Sequence, residues 1–245
     1  MSNFLAPKLA AEFVGTFAFV FIGAGAAAVV GASAGLSGIS AVAFAHGLTI
    51  MVFAFTYGNI SGGHMNPAVT VGVLAAGAMR IGDALGYIAC QLAGGIAGAL
   101  LLRTVLGGVA TGLGTPHLAN DLMLGMATVT ITPAIGFVIE AVLAFFLVTV
   151  VLGAAVAGRA GHLAPLAIGM TLTLNIIMGG ILTGAPFNPA RALGPMVATG
   201  DFTNAWLYVI APLVGAVIAT FVHLGLTRLA HEQNIIAPVA TAPAE

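Results

Sequence analysis

Residues 60–70 of this chain read Ile-Ser-Gly-Gly-His-Met-Asn-Pro-Ala-Val-Thr, and residues 187–195 read Phe-Asn-Pro-Ala-Arg-Ala-Leu-Gly-Pro. Both stretches contain Asn-Pro-Ala, and each copy interrupts otherwise apolar sequence. Since Asn favours the N-cap of a helix and Pro its first position, each copy predicts a helix start. Helix ends at membrane depth are tolerated only where protein or a water-filled cavity satisfies the backbone. Two such breaks in corresponding halves indicate a site near the bilayer midplane.

The composition is that of a membrane protein. Of the 245 residues, 60% are hydrophobic and 5% are charged, whereas about 25% are charged in a typical soluble domain. No Asp, Glu, Lys or Arg lies between Glu12 and Arg80, which leaves room for two spans and a half-length helix. The net charge of −1 argues against a nucleic-acid partner, and the single Cys90 excludes an internal disulfide. No nucleophile–base pair or ligand cluster can be assembled, so we predict no enzymatic activity, metal or cofactor.

The hydrophobic pattern predicts an all-α membrane protein with six transmembrane helices and two re-entrant half-helices. The predicted spans are residues 6–30, 39–59, 83–106, 133–157, 162–180 and 204–228, and the half-helices are 66–78 and 188–198. A helix of about 12 residues covers roughly 18 Å, a little over half of a bilayer core of about 30 Å. Two half-helices that enter from opposite sides would therefore meet near the middle.

The two halves of the chain resemble each other. Glu12 in the first predicted span is echoed by Glu140 in the fourth, and residues 91–94 are echoed by residues 212–215. Three spans per repeat is an odd number, so the second copy must be inverted in the membrane. We expect one channel domain over residues 1–230, with repeats at about 5–106 and 133–228. A short disordered cytoplasmic tail is expected over residues 231–245.

The basic residues predict the orientation. One predicted side carries four of them and the other carries two, namely Lys8, Arg80, Arg159 and Arg228 against Arg103 and Arg191. By the positive-inside rule both termini are cytoplasmic. The expected location is the plasma (cell inner) membrane.

The chain resembles the aquaporin (major intrinsic protein) family over nearly its whole length. Residues 11–17, which read Ala-Glu-Phe-Val-Gly-Thr-Phe, carry the resemblance together with the two Asn-Pro-Ala stretches. The resemblance implies six tilted helices around a pore in each subunit, and a homotetramer in membrane lipid. It also implies pore-lining roles for both motifs, which comprise Asn66, Pro67, Ala68, Asn188, Pro189 and Ala190. Their amide groups would donate to passing water, while the two helix N-termini repel cations. A purely structural Asn-Pro cap is the alternative.

The resemblance also assigns a selectivity filter by spacing from the motifs. His46 stands twenty residues before Asn66, Ile176 twelve before Asn188, and Ala185 three before it. Arg191 completes the set, which looks like that of the plant vacuolar-type (TIP-like) water channels. Alternatives stay open at three positions: His46 as an ordinary core residue, Asn175 in place of Ile176, and an ion pair between Arg191 and Glu140.

Glu12 and Glu140 are intramembrane carboxylates, which by default suggest function. In the family such carboxylates accept hydrogen bonds from the re-entrant loops, so that loop carbonyls face the pore. The carbonyls implied here belong to Gly62, Gly63, His64 and Met65 on one side and to Gly184 on the other. Proton or ion relay by the glutamates is an alternative, as is gating of the cytoplasmic mouth by His64.

We predict a passive water channel that excludes protons and ions and leaves permeability to ammonia or other small neutral solutes open. A facilitator for glycerol, urea or ammonia is the alternative function. Glycerol specificity is disfavoured because Ala192 follows Arg191, where glycerol channels carry Asp, and because the filter lacks an aromatic wedge. An ion-coupled transporter is a third reading, since broken helices in inverted repeats occur there too.

Overall fold

The computed structural model describes residues 5–34 and 38–233. Within these residues the chain forms helices throughout, apart from one short hairpin and the connecting loops. The helices are α1 (Leu5–Phe19), α2 (Gly25–Ala34), α3 (Ile39–Ser61), α4 (Pro67–Ala75), α5 (Ile81–Val105), α6 (Pro133–Val150), α7 (Ala164–Thr183), α8 (Pro189–Thr199) and α9 (Ala205–Glu232). Strands β1 (Leu122–Leu124) and β2 (Ala127–Val129) pair antiparallel.

Two π-helical segments continue α-helices, and neither was predicted. The first π segment (Val20–Ala24) joins α1 to α2, and the second π segment (Val151–Val156) extends α6. Among the described residues, short 3₁₀ turns lie at Gly112–Gly114 and Gly161–Leu163. The chain therefore crosses the membrane in unbroken helices even where the hydrogen-bond register changes.

In the part of the chain that the structure describes, six helical stretches are long and apolar enough to span a bilayer, which confirms the predicted fold class. They are Leu5–Val30, Ile39–Ser61, Ile81–Val105, Pro133–Val156, Gly161–Thr183 and Ala205–Ala230. The fifth span runs three residues further than predicted and ends at Gly184, whose positive φ of 81° stops the helix. The sixth continues to Glu232, and residues 234–245 of the predicted tail lie outside the described residues.

The helices pack in a pattern that follows the inverted repeat. Within each repeat the first and third spans pack together, as α1 with α5 and α6 with α9, while α3 and α7 pack across the repeats. Each half-helix packs on the last span of the other repeat, as α8 on α5 and α4 on α9. A Cβ on Gly194 would lie 2.5 Å from the carbonyl oxygen of Gly95, so α8 approaches α5 by backbone contact. This crossing fixes the depth of the second half-helix.

Large apolar side chains cover the outside of the helices. Ile81, Phe221 and Leu226 are exposed by more than 60%, as suits a surface that faces lipid. The main core cluster lies between the spans and includes Val69 of α4 and Leu172 of α7. The first half-helix is therefore part of the main core, and the second contributes Ala192 and Met196 to a separate buried cluster.

Candidate functional site

Each Asn-Pro-Ala motif begins a half-helix with its Asn as N-cap. Asn66 has extended backbone, and its side-chain Oδ1 accepts from the Ala68 N–H at 2.8 Å. Asn188 accepts in the same way from the N–H groups of Ala190 at 3.0 Å and Arg191 at 3.3 Å. Both caps agree with the prediction from Asn-Pro. Asn accepts from the N–H groups of the first turn, and Pro at the first helical position has no N–H that needs a partner.

The two motifs bind each other across the middle of the molecule. The Nδ2 of Asn66 donates to the Phe187 carbonyl at 3.2 Å, and the Nδ2 of Asn188 donates to the Met65 carbonyl at 2.9 Å. An amide NH2 group has two hydrogens, so each Asn keeps one N–H that these bonds do not use. The family resemblance implies amide donors that bind passing water, whereas half of their donor capacity holds the two loops together.

Glu12 organises the first re-entrant loop. Its carboxylate is fully buried and accepts from the Ser61 hydroxyl at 2.7 Å and from the backbone N–H groups of His64 at 2.9 Å and Met65 at 2.7 Å. Gln91 on α5 adds a fourth donor at 2.7 Å. Because these loop N–H groups donate to Glu12, they point towards α1.

Glu140 organises the second loop with fewer donors. It accepts from the Thr183 hydroxyl and from the Phe187 N–H, the latter at 2.7 Å. Pro212 stands where the first repeat has Gln91, so this repeat lacks the additional amide donor. The two carboxylates thus have the same task but unequal numbers of partners.

Two tyrosines brace the ends of the spans that precede the loops, and sequence reasoning missed both. The Tyr87 hydroxyl donates to the Ser61 carbonyl at 2.8 Å, and the Tyr208 hydroxyl donates to the Thr183 carbonyl at 2.8 Å. The internal repeat could have revealed these two bonds. Their acceptor residues, Ser61 and Thr183, each lie five residues before the Asn of their motif. The tyrosines follow their motifs by 21 and 20 residues, so aligning the halves would have paired them.

Replacing either tyrosine by Phe should destabilise the protein modestly. Tyr87→Phe and Tyr208→Phe each remove one buried donor, and the carbonyl left without it costs about 1–2 kcal/mol. In a protein of this size that corresponds to a fall in melting temperature of roughly 2–8 °C in detergent. Tyr57→Phe is the control, since Tyr57 has a ring contact with Phe53 but no hydroxyl hydrogen bond of this kind. Equal melting temperatures for all three variants would contradict the bracing role.

A cavity of about 920 Å³ runs from one end of the spans to the two motifs. Charged and titratable side chains line its open end, including Lys8, Arg80, Asp83 and His162. Its inner end is lined by Gly62, Gly63, His64, Asn66 and Asn188. Met65 and Gly184, which were expected to supply pore carbonyls, do not line this cavity.

The four expected filter residues are all buried, and none of them lines the cavity. On α3, Ile50 and Ala54 line the cavity, and His46 is one turn before Ile50 on the same face. On α7, Ile168 and Leu172 line the cavity, and Ile176 is the next residue on that face.

Asn175, the alternative to Ile176, is turned elsewhere. Its Nδ2 donates to the Leu143 carbonyl of α6 at 2.8 Å. The geometry therefore favours the register that puts Ile176, and not Asn175, on the cavity side of α7.

Arg191 binds two acceptors, one on α3 of the first repeat and one in the segment that connects the two repeats. Its Nε donates to Nε2 of His46 at 3.3 Å, and its Nη1 donates to the Gly114 carbonyl at 2.7 Å. The His46 Nδ1 lies 2.8 Å from the Val42 carbonyl, which can only accept. Both bonds are satisfied when the imidazole is neutral and protonated at Nδ1. Sequence reasoning did not find Gly114, because nothing local marks a carbonyl 77 residues before its partner.

Arg191 does not pair with Glu140 in the part of the chain that the structure describes. The ion pairs there join Arg80 to Asp83 and Arg228 to Glu232, while His117 lies 3.9 Å from Asp201 and pairs with it only when its imidazole is protonated. Arg191 is held by neutral acceptors instead, namely the His46 imidazole and the Gly114 carbonyl.

These features have a counterpart among known proteins. A family model described as Major intrinsic protein matches residues 2–223. The chain belongs to the major intrinsic protein family. That membership confirms both the predicted family and the prediction of a channel protein rather than an enzyme.

Curated members of the family are similar over most of their length. Aquaporin TIP1-2 of Zea mays is 39% identical over 221 residues, covering 87% of this chain and 83% of its own. Probable aquaporin TIP2-2 of Oryza sativa subsp. japonica is 38% identical over 240 residues, covering 95% and 90%. Aquaporin NIP1-2 of the same rice is 37% identical over 214 residues, covering 87% and 69%.

A solved structure supports the fold. The aquaglyceroporin from Plasmodium falciparum superposes with a TM-score of 0.76 and covers 93% of this chain and 99% of its own. Its sequence identity of 24% restricts the comparison to architecture. Six spans with two half-helices are thus the arrangement of this family member.

Proposed function

We propose that this protein is a passive water channel that excludes protons and ions. The observation that carries the proposal is the meeting of two helix N-termini at the inner end of a cavity. There, Asn66 and Asn188 each retain one uncommitted amide N–H, and Arg191 follows one turn into α8. Similar proteins named aquaporins support the same conclusion.

Water would be oriented by the two remaining amide donors. A water oxygen that accepts from both Asn66 and Asn188 has used both lone pairs, so it accepts no hydrogen bond from neighbouring water. That interrupts the chain of hydrogen bonds along which protons relay. Each helix N-terminus adds about half a positive charge, and Arg191 adds a full one, so cations are repelled along the same path.

Glu12 and Glu140 support the loops in this proposal and do not relay protons. Each carboxylate already accepts from buried loop N–H and hydroxyl groups, so a proton would displace bonds that hold the loop. The scaffold explains why carboxylates are retained at membrane depth. Flux should accordingly be independent of any ion gradient.

We assign the selectivity filter to His46, Ile176, Ala185 and Arg191. Ile176 and Ala185 give the constriction one apolar wall and one small side, while Arg191 supplies polar contact. Ammonia is similar to water in size and hydrogen bonding and should pass measurably. Glycerol should pass poorly because no aromatic wedge is present.

Stopped-flow light scattering on proteoliposomes, with water, ammonia, urea and glycerol in turn, tests which of these solutes the filter admits. Ammonia flux equal to that of empty vesicles would refute the proposed ammonia permeability.

Ile176→His should narrow selectivity towards water. The imidazole adds a polar group and bulk to the apolar wall, so we expect the ratio of ammonia to water permeability to fall severalfold. Ile176→Val is the matched control, since it keeps the wall apolar and should leave the ratio within twofold. An unchanged ratio in Ile176→His would mean that α7 presents a different residue to the pathway.

The assembly and orientation complete the proposal. Lys8, Arg80 and His162 line one mouth of the cavity, which fits the predicted cytoplasmic side and both termini there. We propose a homotetramer in the plasma membrane with one pathway in each subunit. Cross-linking in intact membranes tests the subunit number, and protease access to terminal tags on intact cells tests the orientation.

A further inference from the structure

We propose that Gly23, with its neighbour Ala24, positions both acceptors of Arg191 and thereby determines the selectivity of the filter. The proposal deepens the assignment of the filter and rests on it. Gly23 and Ala24 belong to the first π segment, which lies within the first span. Neither residue is a filter position itself.

Gly23 leaves the space in which the His46 ring lies. A Cβ added to Gly23 would lie 2.5 Å from Cδ2, 2.7 Å from Nε2 and 2.9 Å from Cγ of His46. Cβ atoms in proteins essentially never approach other atoms to less than 3.0 Å. Phe19, four residues earlier on the same helix, contacts the ring edge-on with centroids 5.4 Å apart. The first span therefore fixes where Nε2 can accept from Arg191.

Ala24 supports the second acceptor. Gly114 packs so closely on it that a Cβ on Gly114 would lie 2.6 Å from the Ala24 carbonyl oxygen and 3.0 Å from its Cα. Gly114 also has a positive φ of 68°, which L-side chains rarely adopt. Its carbonyl accepts from Arg191 Nη1. Two adjacent residues of one π segment thus contact both groups that hold the guanidinium.

The π turn itself is consistent with this role. Such segments are short interruptions of α-helices and occur often at functional sites. The second π segment offers a contrast, because a Cβ on Gly153 would lie 3.8 Å from its nearest neighbour, an atom of His223. A methyl group there makes ordinary contact and reaches none of the filter residues.

Gly23→Ala tests the proposal directly. The added methyl should push the imidazole away from the first span and out of reach of Arg191 Nε. We expect water and ammonia permeability in proteoliposomes to fall at least threefold and their ratio to change. Gly153→Ala is the matched control and should behave as the original protein does. Full permeability with an unchanged ratio in Gly23→Ala would overturn the proposal.

A double variant separates an effect on His46 from a general disturbance of the helix. His46→Ala removes the ring, so Gly23→Ala added to it should cause no further change in either permeability. If Gly23→Ala alone fails to fold, the double variant should recover the amount of folded protein that His46→Ala gives. A further loss in the double variant, or no such recovery, would overturn the role of Gly23. Normal selectivity in His46→Ala alone would instead refute the assignment of the filter.

Discussion

Arg191→Ala should give a channel that still conducts water but leaks cations and protons. Arg191 carries a buried positive charge at the proposed filter, where its hydrogen-bond acceptors, His46 and Gly114, are neutral. A unit charge about 4 Å from a passing cation contributes about 4 kcal/mol of repulsion at an effective dielectric constant of 20. Removing it should raise cation passage by roughly tenfold or more, after allowance for screening by water. Water permeability should stay within about twofold, since the amide donors of the motifs remain.

The measurement is the ion current of reconstituted planar bilayers together with stopped-flow water flux. Arg103→Ala is the control, because Arg103 is exposed and donates to the Ala198 carbonyl at 3.0 Å away from the proposed filter. The ion current of Arg191→Lys should lie between those of Arg103→Ala and Arg191→Ala. Lys keeps the positive charge but loses the planar set of N–H donors of the guanidinium. If Arg191→Ala excluded cations as well as the original protein does, Arg191 would not contribute to cation exclusion.

Glu12→Ala should prevent the protein from accumulating in a folded state. Its carboxylate accepts from four buried donors, including the N–H groups of His64 and Met65. Each donor left unpaired in the interior costs about 1–3 kcal/mol, so together these donors account for a large part of the stability of a typical domain. Glu140→Ala should be less damaging, because its carboxylate has fewer partners.

Fluorescence-detected gel filtration and melting in detergent would rank these variants. Glu232→Ala is the control, since it removes an exposed ion pair with Arg228 and should change stability by less than about 1 kcal/mol. Glu12→Gln should be intermediate, as it keeps one acceptor oxygen and turns the other into a donor. A melting temperature for Glu12→Ala within about 2 °C of the original protein would contradict the scaffold.

The parts of the fold that sequence predicted well depend on local chemistry. The spans follow from uninterrupted apolar runs, and both half-helices follow from Asn-Pro at their first turn, as at Asn66. The actual half-helix α4 ends at Ala75, three residues earlier than predicted, because a positive-φ glycine, Gly77, follows closely. Local sequence patterns therefore predicted that each span and half-helix exists, and they placed its end to within a few residues.

The parts that sequence missed depend on contacts between distant segments. The sequence near Tyr87 does not predict that its hydroxyl reaches the end of α3. The sequence near Gly114 does not predict a hydrogen bond to Arg191. The first π segment has the same apolar composition as the helices on either side of it, so periodicity gives no sign of the extra residue. Internal comparison of the repeats could have found the tyrosines, whereas Gly114 lies between the two repeats. A π segment occurs in the first span of each repeat, but its apolar sequence does not distinguish it from α-helix.

The most direct test of the water-channel proposal measures water and protons in the same vesicles. Proteoliposomes that contain a pH-sensitive dye are mixed with a hyperosmotic buffer for light scattering, and in parallel with a buffer that imposes a pH gradient. We expect water permeability well above that of empty vesicles, with no dependence on an ion gradient, and a proton flux equal to that of empty vesicles. Water permeability no higher than in empty vesicles, or a proton flux that rises together with it, would contradict a passive channel built on Asn66, Asn188 and Arg191.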